Sequence, residues 1–115
     1  MAELYHLADS GEWLAAAASG EYRMSTRGVT LAEQGFIHCS LRHQLRDVAD
    51  RYYADAGDLV LLVIDTARVG SPIRYEAAAA GEQEYPHIYG PVPAGAVTSV
   101  LPVGRDQAGR LILPD

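Results

Sequence analysis

The sequence predicts one small α+β domain, spanning residues 1–115, with a mainly antiparallel sheet. Three observations carry that expectation. Period-two stretches at 3–7 and 36–40 alternate with two segments of helical character, and strands alone follow from residue 59 onward. Leu59-Val60-Leu61-Leu62-Val63-Ile64-Asp65 is a nearly unbroken apolar run, which marks a central strand covered on both faces. The 115 residues, 49% of them apolar, are one domain's length. A chain of that size buries roughly two-thirds of its unfolded surface without staples.

The chain opens on a strand over 3–7, with Leu4 and His6 on one face and Tyr5 and Leu7 on the other. Asp9 with Glu12 three residues later signals a helix start, so a helix runs from Gly11 to about Ala18 and stops at Gly20. Residues 22–31, with Ser25, Thr26 and Gly28, read as an irregular loop. Gly35 leads into a strand over 36–40 that puts Phe36, His38 and Ser40 on one face and Ile37 and Cys39 on the other. Ser40 is a plausible cap for a helix over 42–53, whose stripe of Leu41, Leu45, Val48, Ala49 and Tyr52 recurs at three and four residues. Gly57-Asp58 turns the chain into the central strand. A short strand follows at 73–76, then an exposed loop to about residue 85 in which Ala77–Ala80 are a candidate helical turn. Tyr85–Pro91 alternates again, with His87 and Tyr89 flanking an inward Ile88. Strands at 97–103 and 110–113 bracket Gly104–Gly109 as a closing hairpin.

The net charge is -6, and all nine cations are arginine. Without lysine, a Schiff-base mechanism and a lysine-bearing phosphate loop are excluded. The lack of lysine matches the coding bias of a GC-rich, bacterial-type genome. The arginines are scattered, so no basic footprint for a nucleic-acid backbone is expected. One cysteine fits a reducing compartment. No apolar run approaches the ~20 residues that span a bilayer, and no basic stretch leads into a hydrophobic one at the N-terminus. The expectation is a cytoplasmic protein with no membrane or nucleic-acid partner, acting as a monomer or small homo-oligomer.

His6, His38 and His87 each lie in or beside a strand, next to apolar or aromatic neighbours. This predicts that the 36–40 and 85–91 segments meet and that the three imidazoles line one cleft. The competing reading is three hydrogen-bonded structural histidines. His43 falls on the exposed side of its helix. Cys39 shares a face with Ile37, which predicts a buried, slow thiol rather than a nucleophile. Ser40 is either the helix cap or a nucleophile beside His38. Glu76 is placed to orient a ribose hydroxyl or stabilise a cationic transition state, or else to pair with an arginine at the rim. A metal site built from the histidines with Cys39 and Glu76 runs against the opposite facing of His38 and Cys39. The sequence also has no HxH, HExxH or CxxC spacing, and no metal ligand is assigned.

Leu4-Tyr5-His6, Gly35-Phe36-Ile37-His38-Cys39-Ser40, Tyr75-Glu76 and Tyr85-Pro86-His87-Ile88-Tyr89-Gly90-Pro91 stand in that order across nearly the whole chain. Together they resemble the domain of unknown function 952 family. The fold of that family is similar to that of ADP-ribosyltransferases, which bind NAD in a cleft between two small sheets. The resemblance therefore implies split antiparallel sheets, two helices and an NAD pocket. The two-histidine branch of that superfamily, which includes RNA 2′-phosphotransferases, is similar at His6 and at His38 followed by Ser40. By this resemblance His6, His38 and Ser40 hold the ribose and diphosphate side of NAD, and Tyr89 stacks near the nicotinamide. Chemistry at the nicotinamide–ribose bond would fall to His38, Glu76 and His87. The chain lacks the basic surface of the phosphotransferases and the glutamate-x-glutamate pair of toxin-type transferases, for which Glu76 is a loose stand-in. The expected function is an NAD or nucleotide pocket that cleaves or transfers from the nicotinamide–ribose bond. A non-catalytic small-ligand domain is the alternative, and a histidine-based metal enzyme using His38 and His87 is the third reading.

Overall fold

The structure is a computed structural model and describes residues 2–114. In chain order it contains β1 (Glu3–Asp9), α1 (Ser10–Ser19), β2 (Glu21–Tyr22), β3 (Met24–Thr26), β4 (Val29–Thr30), α2 (Leu31–Gln34) and β5 (Ile37–His38). A 3₁₀ turn (Arg42–Gln44) then precedes α3 (Leu45–Tyr52), followed by β6 (Leu59–Asp65), β7 (Ile73–Glu76), β8 (Tyr85–Ile88), β9 (Val92–Pro93), β10 (Val97–Arg105) and β11 (Leu111–Ile112). The predicted α+β class holds, with antiparallel pairing throughout.

β6 is the axis of the molecule. It lies between β1 and β10 in a four-stranded sheet ordered β1-β6-β10-β11. Its side chains alternate between two separate cores. Leu62 and Ile64 pack with Leu4, Ala8, Ile37 and Ile88, while Leu59, Leu61 and Val63 pack with Tyr5, Leu7, Leu45 and Ala49. That is why the run is apolar at nearly every position: both faces are covered. Burial of each such side chain contributes about 1.5–3 kcal/mol.

A second sheet, three strands in the order β5-β8-β7, is joined to the first by the segment 37–40. Ile37 and His38 pair with Ile88 and His87, and the Cys39 amide donates to the Pro86 carbonyl at 3.0 Å. One residue on, Ser40 exchanges backbone hydrogen bonds with Tyr5 of β1, at 2.8 and 2.9 Å. The chain thus leaves one sheet and enters the edge of the other within two residues.

Helix α1 begins where the sequence places it. The Asp9 carboxylate accepts the Glu12 amide at 3.0 Å, and the helix ends at Gly20. Four expectations are corrected. Residues 22–31 are not an irregular loop but carry β3, β4 and the end of β2, and β2 pairs with β9 some seventy positions away. Ser40 does not cap the following helix, because the N-cap of the 3₁₀ turn is Leu41 and that of α3 is Gln44. The Leu41 amide is instead accepted by Gln44 Oε1 at 2.9 Å. Tyr52 is exposed and Tyr53 takes its place in the core, with its hydroxyl 3.0 Å from Thr26 Oγ1. The 3₁₀ turn, with three residues per turn, shifts the phase of the stripe, and the helix ends before Tyr53. Residues 77–80 form bends rather than a helical turn.

Candidate functional site

The site grows from the junction of the two sheets. Thr30 and Glu33 form a capping box that fixes α2: Thr30 Oγ1 accepts the Glu33 amide at 3.2 Å, and Glu33 Oε1 accepts the Thr30 amide at 2.9 Å. Gly35 closes that helix at φ 95°, a left-handed conformation that favours glycine, and launches Phe36 toward the second sheet. The Phe36 ring then stacks on His87 (centroids 4.1 Å apart), meets His38 edge-on at 4.7 Å and leans on Tyr89 at 5.3 Å. His38 and His87, directly paired across β5 and β8, stand edge to face at 5.0 Å.

Cross-strand geometry fixes the carboxylate. Glu76 pairs with Tyr85 and Arg74 with His87, so Glu76 and His87 are diagonal neighbours within side-chain reach. Glu76 Oε1 accepts from His87 Nδ1 at 2.8 Å and from the Tyr89 hydroxyl. These two donors hold the Glu76 carboxyl below its ordinary range, and the same bond raises the Tyr89 phenol. Glu76 is therefore a carboxylate at neutral pH, and the His87 proton sits on Nδ1. The Arg74 guanidinium lies over the Tyr89 ring, 5.3 Å from its centroid.

All six residues nominated from the sequence, His6, His38, Ser40, Glu76, His87 and Tyr89, line one cavity of about 830 Å³. Their availability differs. His38 is half-buried, and its ring nitrogens have no protein partner among the described residues. Burial, and then the neighbouring His87, lower its pKa, so it is neutral at pH 7. His6 is 3% exposed, and both of its nitrogens are engaged. Nδ1 lies 2.5 Å from the His38 carbonyl, which only accepts, so Nδ1 carries the proton. Nε2 then accepts from the Tyr22 hydroxyl at 2.8 Å. Burial pushes the His6 pKa down to about 4. His6 thus holds the strand that carries His38, with both ring nitrogens engaged within the protein.

Cys39 is buried among the core residues and its thiol pKa is raised by burial. Among the described residues, no three of His, Cys, Asp or Glu are grouped to hold a metal ion. No helix among them is long and apolar enough to cross a membrane.

The sequence reading missed part of the wall. Phe36 is the centre of the aromatic cluster, although its place on the His38 face announced it. Asp47, Arg51 and Tyr52 of α3 also line the cavity, as do Tyr85 and Glu82, and Arg51 is paired with Asp47 at 3.1 Å. Tyr22 escaped because it fell in the segment read as a loop.

Comparison with known proteins agrees on the fold. The crystal structure of protein CC0527 from Caulobacter crescentus is 30% identical, with a TM-score of 0.81 over 96% of this chain and 94% of that one. The solution NMR structure of the same protein is 31% identical, with a TM-score of 0.75 over 95% and 90% of the two chains. No curated protein matches the chain. Residues 7–100 match the family described as "Protein of unknown function (DUF952)", and the chain belongs to that family.

Proposed function

We propose that the cavity binds the nicotinamide end of NAD or a related nucleotide, and that the chain cleaves or transfers from the nicotinamide–ribose bond. One observation carries this reading. Glu76 is an ionised carboxylate held by two donors, beside an aromatic cluster and the unpartnered neutral His38, in a cavity of nucleotide size. The split between the four-stranded and three-stranded sheets supports the likeness to ADP-ribosyltransferases, as analogy only.

In such a reaction the C1′–N bond breaks and neutral nicotinamide leaves with the bonding electrons. The ribose becomes oxocarbenium-like, and an acceptor oxygen attacks C1′ while giving up its proton. Glu76 stabilises the developing positive charge, and His87 and Tyr89 hold it in place so that little reorganisation accompanies the step. His38 takes the acceptor's proton. Phe36 and Tyr89 offer ring faces to the base, and Ser40 lines the same wall. The expected signature of Glu76→Gln is a fall in nicotinamide release of about 10²-fold or more with affinity nearly kept. Calorimetry against NAD, ADP-ribose and nicotinamide riboside, with a nicotinamide-release assay, reads both quantities. Absence of heat with all three ligands would end this reading.

A binding domain without turnover is the second reading, favoured by the residue two before Glu76 on β7. That residue is Arg74, so the strand offers no second carboxylate. Binding heat without nicotinamide release identifies it.

A further inference from the structure

We infer that the cavity selects its ligand as a cation: an N-ribosyl pyridinium without a diphosphate, in preference to the intact dinucleotide. This rests on the nucleotide reading above and narrows its substrate class.

The charges on the wall point one way. Asp47, Glu76 and Glu82 line the cavity against one guanidinium, Arg51; the Asp47–Arg51 pair cancels, which leaves the carboxylates of Glu76 and Glu82. Arg74 is not a lining residue; its guanidinium lies over the Tyr89 ring and helps to hold Glu76 ionised. Helix α3 lies along the wall from Asp47 in its first turn to Tyr52 and the C-cap Tyr53, so its backbone dipole favours neither sign there. Diphosphates are held by helix N-termini, by glycine-rich turns that offer successive amides, or by unpaired arginines. The lining residues include no glycine, and Asp47, in the first turn of α3, brings a carboxylate rather than an open anion site to that helix end.

What the cavity does offer suits a flat cation. Phe36, Tyr85 and Tyr89 put aromatic surface beside Glu76, and a pyridinium ring gains from both the ring quadrupole and the carboxylate. Ring and ribose would then occupy the cavity, and added phosphates would meet the carboxylates of its wall.

The test is calorimetry on the whole protein with nicotinamide riboside, its mononucleotide and NAD, which share the ring and carry an increasing phosphate load. Each is measured at low and high salt. Dihydronicotinamide riboside, nearly the same shape without the positive charge, is the fourth probe. The riboside is expected to bind about tenfold or more tightly than NAD at low salt, with the gap closing at high salt. The dihydro form should bind more weakly than the riboside. Glu82→Gln, which alters a wall charge outside the proposed machinery, should narrow the low-salt gap only. NAD binding as tightly as the riboside, or a dihydro form equal to it, would overturn cation selection while leaving the nucleotide site standing. No binding by any of the probes, or by ADP-ribose, would overturn the site itself.

Discussion

Acid should loosen this fold well before its carboxylates titrate, and His6 is the reason. Its imidazole is neutral, buried and bonded at both nitrogens, with a pKa pushed down from 6.5 to about 4. The unfolded chain therefore takes up a proton at His6 between pH 6.5 and 4 that the folded chain refuses, and stability falls as the pH falls through that window. At pH 5 the difference amounts to about 2 kcal/mol, with a limit of about 3 kcal/mol below pH 4. His38, lowered for the same physical reason, adds in the same direction. Glu76 and Asp50, held low by their partners, lose their contribution as the pH falls through the ordinary carboxylate range and below it. The slope between pH 7 and 5 thus belongs to the histidines. For a domain whose total stability is about 5–15 kcal/mol, 2 kcal/mol is a large share. Urea unfolding followed by circular dichroism at pH 7, 6 and 5, together with NMR titration of the His6 ring, measures it. His6→Phe should be less stable at neutral pH, because the Tyr22 hydroxyl and His38 carbonyl lose their partner, but its pH slope should be shallower. A wild-type stability flat from pH 7 to 5, or a His6 ring titrating at its ordinary value, would refute the doubly bonded neutral imidazole.

Two further perturbations test the frame around the site. A Cβ added at Gly90 would lie 2.2 Å from Ser71 Oγ and 2.8 Å from Ser71 Cβ, so Gly90→Ala should cost about 1–3 kcal/mol in thermal unfolding. Ser71→Gly in the same chain should restore most of that loss, and failure to do so would mean that the clash is not the cause. Cys39 should react with a thiol reagent far more slowly than a free cysteine, and Cys39→Ala should lower the melting temperature while leaving ligand heats unchanged. Rapid labelling of the native protein would contradict its place in the core.

The long elements were legible because their signals are local. The doubly apolar run of β6, the Asp9 cap of α1 and the alternation of β8 each announce themselves within a few residues. Residues 22–30 were not legible, because strands of two or three residues are too short to show a period. The pairing of β2 with β9 is a tertiary event. Even so, Thr30 with Glu33 three residues on is a capping box visible in the sequence. The same limit shaped the site. Face alternation was enough to bring His38, Ser40, Glu76, His87 and Tyr89 to one cavity, since neighbouring strands keep their faces. The engagement of His6 depends on Tyr22, sixteen positions away on a strand no periodicity revealed. Likewise, the exchange of Tyr52 for Tyr53 follows from a 3₁₀ turn that the apolar spacing does not announce.

The pairing of β1 with β6 also decides when the emerging chain can fold during translation. Residues 3–9 leave the ribosome well before their hydrogen-bonding partner, residues 59–65, and β10 must arrive after that to cover the far edge of β6. The segment carrying His38 gains its second sheet only when residues 85–88 emerge. A nascent chain halted short of β6 would hold His6, His38 and Ser40 but have no partner strand on which to align them. Such non-local pairing places folding in the slow range, on the order of milliseconds to seconds. A ribosome-bound chain ending near residue 58 should therefore be digested readily by protease, and resistance should arrive late and in a single step.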